Sequence, residues 1–160
     1  MFSIPAKTSS KVLRLIVFVC LAPLTAGLIG VASGQTVTVT TAADDVDIDW
    51  QTATIADLPG PDGKVSLSEA FIATNNTPGH QTIGFAIPKN EWILQFILPG
   101  RAVLTALTGY FWNAKDEVTL DGTTQTAFTG DTNPDGNEVA LYGTGLGLNA
   151  DNCTLIGFDS

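Results

Sequence analysis

Cysteine is nearly absent from this chain of 160 residues, which carries only Cys20 and Cys153. Cys20 lies in an N-terminal leader, so an exported chain keeps one thiol and has no intramolecular disulfide, even in a compartment that permits one. A small residue tucked beside Thr154-Leu155-Ile156 is the plain reading of Cys153. Basic residues are also scarce, at seven Lys plus Arg against sixteen Asp plus Glu, for a formal charge of −9. A phosphate backbone is repelled by such a surface, which argues against nucleic acid as a partner. The polybasic signature of a protein that binds anionic membranes is missing as well. Histidine occurs once, as His80, with no Ser, Cys or second His patterned around it, and reads as a surface residue.

The basic residues that do occur are unevenly placed. Lys7, Lys11 and Arg14 precede an uncharged, mostly apolar run from Leu15 to Gly30, and Ala32-Ser33-Gly34 offers small residues for cleavage before Gln35. That order is a secretory signal peptide over residues 1–34. The uncharged run to Thr36 is long enough to span a bilayer as an uncleaved anchor. Pro23, Gly27, Gly30 and Gly34 weaken it as a spanning helix, so cleavage and a secreted or cell-surface location are expected. Loss of the three leader bases takes the charge from −9 to −12, leaving Lys64, Lys89, Arg101 and Lys115. Such a surface suits solubility and divalent cations.

The most informative stretch runs from Val65 to Ile87. Ser66 and Glu69 form a capping box, each side chain placed to serve the other's amide. Leu67, Ala70, Phe71 and Thr74 follow at i, i+3, i+4 and i+7 as one buried helical stripe, with Val65 and Ala70 at staple positions. Asn75-Asn76-Thr77-Pro78-Gly79 stops the helix. Ile83, Phe85 and Ile87 then alternate with smaller residues as a strand.

SLSEAFIATNNTPGHQTIGFAIP resembles the CSLREA domain of exported bacterial proteins. Ser66, Leu67, Glu69, Ala70, Asn75, Pro78-Gly79 and Thr82-Ile83-Gly84-Phe85 match its pattern, whereas Val65 replaces its cysteine and Ser68 its arginine. LDGTTQTAFTG, from Leu120 to Gly130, is similar to the family's Ile-Asp-Gly-Thr-Thr-Gln segment. The resemblance covers roughly Thr36 to Phe158. It implies a mainly β fold with one short capped helix: an N-terminal cap over residues 35–98, then the first coils of a right-handed parallel β-helix over 99–160. It brings no catalytic residues.

The remaining segments fit that outline. Thr36–Thr41 alternates valine with threonine and reads as a strand, and the resemblance implies that this strand opens the domain and covers the end of the coil. The apolar run Glu91–Leu98 reads as a strand closed by Pro99-Gly100, and Arg101–Leu107 as a shorter one. Tyr110, Phe111 and Trp112 suit either a sugar-stacking platform or, more simply, a plug for the core. Val118–Gly122, Val139–Gly143 and Thr154–Phe158 read as coil strands with glycine near each end; a β-sandwich would show similar segments.

Two acidic loops invite a calcium reading. From Asp45 the first positions of DVDIDW fit D-x-D-x-D, but Trp50 and Ala56 replace the glycine and glutamate that an EF-hand needs, so a solvated acidic loop is expected. Asp131, Asn133, Asp135 and Gly136 match the front of D-x-N-x-D-G, with Tyr142 where the bidentate acid belongs. They are candidate Ca²⁺ ligands, weighed against a turn-rich insertion at a coil corner.

For catalysis, Asp116, Glu117 and Asp121 are the dense acids near a coil strand, with Lys115 and Arg101 the nearby bases. Glu117 and Asp121 are too far apart along one strand to share a reacting atom. The expectation is a non-catalytic surface module with a structural, adhesion or display role, its partners an extracellular polysaccharide or a surface protein. A polysaccharide lyase or glycoside hydrolase fragment is the alternative. Cys153, Leu155, Ile156 and Phe158 are expected to form an uncovered coil through which copies self-associate, as in a fragment of a longer solenoid.

Overall fold

The computed structural model describes residues 34–106, 117–143 and 145–159. The leader and the Tyr110-Phe111-Trp112 cluster therefore lie outside the described residues. Seven short strands and two helices follow in the order β1 (Gln35–Val39), α1 (Leu67–Asn75), β2 (Gln81–Phe85), β3 (Ala102–Leu104), β4 (Val118–Asp121), α2 (Thr123–Thr129), β5 (Val139–Leu141), β6 (Thr154–Ile156) and β7 (Phe158–Asp159). Single 3₁₀ turns stand at Ile55–Asp57 and Lys89–Glu91. No described helix is long and apolar enough to cross a membrane.

The strands form two wholly parallel sheets, ordered β1-β2-β4-β6 and β3-β5-β7. From β2 onward the chain alternates between them, one strand in each. Parallel neighbours need a crossover, and each crossover here delivers a strand to the opposite sheet. Register is unbroken: Val37 pairs with Ile83, Ile83 with Leu120, and Leu120 with Leu155. In the second sheet Leu104 pairs with Leu141, and Val139 with Phe158. Like side chains thus stack along each ladder; Val37, Ile83, Leu104, Leu120 and Val139 are buried in one core, with Leu141 and Phe158 packed against it, while Leu155 is exposed. Phe85 of the first sheet meets Phe158 of the second edge-on, with ring centroids 5.3 Å apart at 84°, tying the sheets together. Val118, Val139 and Thr154, read from the sequence as successive coils, are divided between the sheets instead. β4 pairs with β6, and β5 belongs with β3 and β7.

At one end, α1 packs against β1. The Ser66 hydroxyl accepts the Glu69 amide at 3.2 Å, and the Glu69 carboxylate accepts the Ser66 amide at 2.9 Å, completing the expected capping box. The helix is buried from Leu67 to Thr74, on every face and not along one stripe. The reason is the segment 44–58, which folds over its outer side. The Ser68 hydroxyl donates to Asp44, the Asp47 amide to Glu69, and the Asn76 amide group to the Ala53 carbonyl. The acidic loop lies across the helix through these bonds, while Asp45, Val46, Asp47, Asp49 and Trp50 remain exposed, as expected of a solvated acidic loop.

One expected strand is absent. Residues 91–98 form turns, with Leu94 at φ 54°. The cause is Gln95, whose side chain captures the local backbone. Its Nε2 donates to the carbonyls of Ile93 (3.1 Å) and Arg101 (2.6 Å), and its Oε1 accepts the Gly100 amide at 3.1 Å. Gly100 turns with φ 75° hard against Thr132, where a Cβ would come within 2.2 Å of the carbonyl oxygen.

Candidate functional site

Helix α2 brings the first group of polar side chains into the interior. Asp121 accepts the Thr123 amide at 3.0 Å, an Asx turn that starts the helix where β4 stops. β4 pairs with β2 only as far as Gly84. Beyond that point side chains of α2 continue the pairing: Phe85 donates its amide to Thr124 Oγ1 at 2.6 Å, and Ile87 donates to Gln125 Oε1 at 2.8 Å. Gln125 Nε2 donates back to the Ile87 carbonyl at 3.0 Å. Gln125 is fully buried, so its amide serves as a one-residue strand. Gly84 leaves room for Thr124, whose Oγ1 would lie 3.1 Å from an added Cβ.

A second cluster surrounds Glu69, which is 2% exposed. Its carboxylate accepts the amides of Ser66 (2.9 Å) and Asp47 (3.0 Å), joining helix start and acidic loop. Burial pushes this carboxyl above its ordinary range, and the nearby Asp47 adds to the rise, while the two amides only partly offset it. Asp47 in turn accepts the Asp62 amide at 2.7 Å, so the loop acids organise backbone.

The third cluster contains the candidate calcium ligands. Asn133 is buried, and its Nδ2 donates to the Asn137 carbonyl (2.9 Å) and to Asp159 (3.3 Å); Asp131 and Asp135 face solvent. The structure thus brings Asn133 to Asp159 and leaves the two aspartates outside. Asp159 accepts Arg101 Nε at 2.8 Å and the Asn137 amide at 3.2 Å. Burial alone would raise the Asp159 carboxyl, but Arg101 and Asn137 outweigh it and hold it below the usual carboxylate range. Gly136 permits this approach, since a Cβ there would stand 2.7 Å from an Asp159 oxygen. Among the described residues no group of three or more His, Cys, Asp or Glu is arranged to hold a metal ion. A cavity of about 190 Å³ opens beside this cluster, lined by Leu98, Arg101, Ala140, Leu141, Tyr142 and Asp159.

The nearest approach to a nucleophile and base is on the outer face of the first sheet. His80 Nε2 is 3.0 Å from Thr119 Oγ1, and His80 Nδ1 is 3.9 Å from Glu117, which Asn152 Nδ2 contacts at 2.8 Å. No local pattern announces this trio, because its residues meet only through the parallel register of β2 and β4. The His80 and Glu117 side chains are 42% and 48% exposed. Water screens the trio, and the carboxylate lies beyond hydrogen-bond reach of the ring, so it has the character of a surface ladder. Comparison with protein-family models, with curated proteins and with solved structures finds no match for this chain.

Proposed function

We propose that this chain is a non-catalytic structural module: the N-terminal cap and opening coils of a right-handed parallel β-helix, exported to display or adhere at a bacterial surface. The observation that carries this reading is the alternation of strands between two wholly parallel sheets in unbroken register. A solenoid coil repeats that path, and its first coil needs a cover such as α1 and the loop folded over it. The resemblance of Ser66–Pro88 and Leu120–Gly130 to the CSLREA domain points the same way. Its Asp-Gly-Thr-Thr-Gln segment coincides with the Asx turn and the Gln125 pairing, a use for those residues that is architectural. The buried acids Glu69 and Glu138 are likewise engaged in framework bonds, to backbone amides and to Thr126 respectively.

At the far end, β6 pairs with β4 on one side only among the described residues, and Leu155 and Ile156 are 42% and 43% exposed. In the proposed solenoid this edge seats another coil, either of a longer protein or of a second copy. Genetic addition of coils that carry apolar residues in register with Leu120 and Leu155 tests the reading. The extended protein should melt at a higher temperature and scatter as a monomer, while the 160-residue chain associates. A 160-residue chain that stays monomeric with a sharp melt, and gains nothing from added coils, would refute the solenoid.

A further inference from the structure

Among the described residues, β1 is the edge strand of the first sheet, bonded to β2 alone. Val39, opposite Phe85, accepts the Ala86 amide at 2.9 Å, which fixes the phase of the ladder. Bonded residues of a parallel pair recur at every second position, so here they are Gln35, Val37 and Val39. Thr36, Thr38 and Thr40 therefore aim their amides and carbonyls away from β2. Thr40 shows the use of that direction, donating its amide to the Val65 carbonyl at 2.9 Å. Among the described residues no hydrogen bond reaches the outward backbone groups of Thr36 and Thr38, and both residues are exposed.

These groups face a groove. A cavity of about 210 Å³ lies beside them, lined by Thr36, Thr38, Ile55, Leu58, Pro59 and Val65. Another, of about 340 Å³, shares Ile55 and reaches Gln35, Thr77 and Pro78. The strand edge is thus a polar floor beside a largely apolar wall made by residues 55–59. Donors and acceptors that recur about every 7 Å along that floor are matched by another extended backbone. A lipid tail or an apolar small molecule would leave them unpaired.

The wall also carries charge of one sign. From Asp44 to Asp62 the chain has six aspartates and no base. Asp57 stands exposed between the lining residues Ala56 and Leu58, its carboxylate held by the Thr54 amide and hydroxyl at 2.8 Å each. Asp47, also exposed, rests against Gly60 beside Pro59, its Oδ1 filling the space that a side chain there would need. Lys64 gives this wall no neutral partner, since its Nζ is paired with Glu91 at 3.0 Å. A cationic strand is attracted here, whereas a second copy would bring its own charge of −9 against the same acids.

We propose that the free edge of β1 takes up an extended, lysine- or arginine-bearing segment of a partner protein as an added strand. Its backbone pairs with Thr36 and Thr38, its aliphatic side chains lie on Ile55, Leu58 and Pro59, and its cations meet Asp57 and Asp47. The edge exists whether or not further coils follow β6, so the proposal stands apart from the solenoid reading.

An end-capped heptapeptide of alternating valine and lysine, labelled for fluorescence anisotropy, tests this on the full chain. It should bind, and binding should weaken with added salt. Two versions, N-methylated at the valines or at the lysines, should differ about tenfold in affinity, because one set of amides faces β1. Thr38→Pro removes the outward amide and spares the β2 ladder, and should weaken binding about tenfold with little change in melting temperature. Asp57→Asn should weaken it about threefold. Amide exchange at Thr36 and Thr38 should slow with peptide, while Thr154–Ile156, on the other free edge, keeps its rate. Equal affinity of the two methylated peptides would mean that the acids attract charge alone, and overturns the proposal even if Thr38→Pro fails to fold. Absence of binding at millimolar peptide overturns it as well. So does protection of Thr36 and Thr38 that grows with protein concentration alone, which would make a second copy the occupant.

Discussion

At the scale of single residues, the interior depends on side chains that replace backbone. Gln125 supplies both a donor and an acceptor to Ile87 in a fully buried setting. Gln125→Ala should therefore leave the buried Ile87 amide unpaired, the Ile87 carbonyl keeping the Trp92 indole N–H, and cost about 2 kcal/mol, read as a shift in urea midpoint. Glu69 makes the residue-scale prediction for pH. Its folded pKa is raised, so the native state holds a proton that the unfolded state releases between that raised pKa and the ordinary value of 4.5. Its contribution to stability accordingly grows as pH falls through the folded pKa, and is constant below the unfolded one. Asp159 has the opposite sign: its depressed pKa contributes stability above 3.8 that is lost as pH falls through the folded value. Melting curves of the parent and of Glu69→Gln between pH 7 and pH 4.5 should show the gap widening in the parent's favour toward acid. A constant gap would mean that burial leaves Glu69 untouched.

At the scale of elements, α1 and the two acidic loops show how short pieces are held. Ser66→Ala removes one half of the capping box and should cost about 1 kcal/mol. Phe71→Ala opens a cavity beneath a helix covered on every side and should cost about 3 kcal/mol or more. Chemical denaturation separates the two, and equal costs would mean that the helix contributes little through packing. The loop from Asp131 to Glu138 is shaped by Asn133 and Asn137 bonding to an aspartate already paired with Arg101. Asn133 offers Asp159 its N–H, which is the wrong polarity for a cation between them. Calorimetric titration with millimolar Ca²⁺ should give no heat and no rise in melting temperature. Heat that disappears in Asp135→Ala would establish the loop as a calcium site.

For the whole molecule, the register predicts a gradient of stability along the first sheet. Ile83 and Leu120 are fully buried with a strand on either side, whereas Leu155 is 42% exposed on a strand paired on one side among the described residues. Leu120→Ala should cost about 3 kcal/mol. Leu155→Ala should cost about 1 kcal/mol or less, because its side chain is already partly in water. Amide hydrogen exchange should follow the same order, slowest in β2 and β4 and fastest in β6. Uniform exchange across the sheet would show that the terminal strand is covered in solution.

The sequence by itself determined the elements whose signals are local. Ser66 and Glu69 lie three residues apart, so the cap of α1 is complete before any tertiary contact forms. The alternation of Val37 and Val39, and of Ile83 and Phe85, fixes which faces of β1 and β2 turn inward. Tertiary structure decided everything that requires distant residues to meet. EWILQFIL has the composition of a strand, yet Gln95 folds it back through Gly100 and Arg101, a choice no apolar pattern records. TTQTAF carries three threonines and no apolar stripe, and it becomes helical because Gln125 and Thr124 find the unpaired amides of Ile87 and Phe85. The acidic loop reads as solvated, and Asp45, Asp47 and Asp49 are exposed; only the structure shows that Glu69, Ser68 and Asn76 also draw it across α1. Thr119 and His80 become neighbours only through the β2–β4 register. Local hydrogen-bond geometry and side-chain period are written along the chain, but which strand lies beside which depends on how apolar faces share one core.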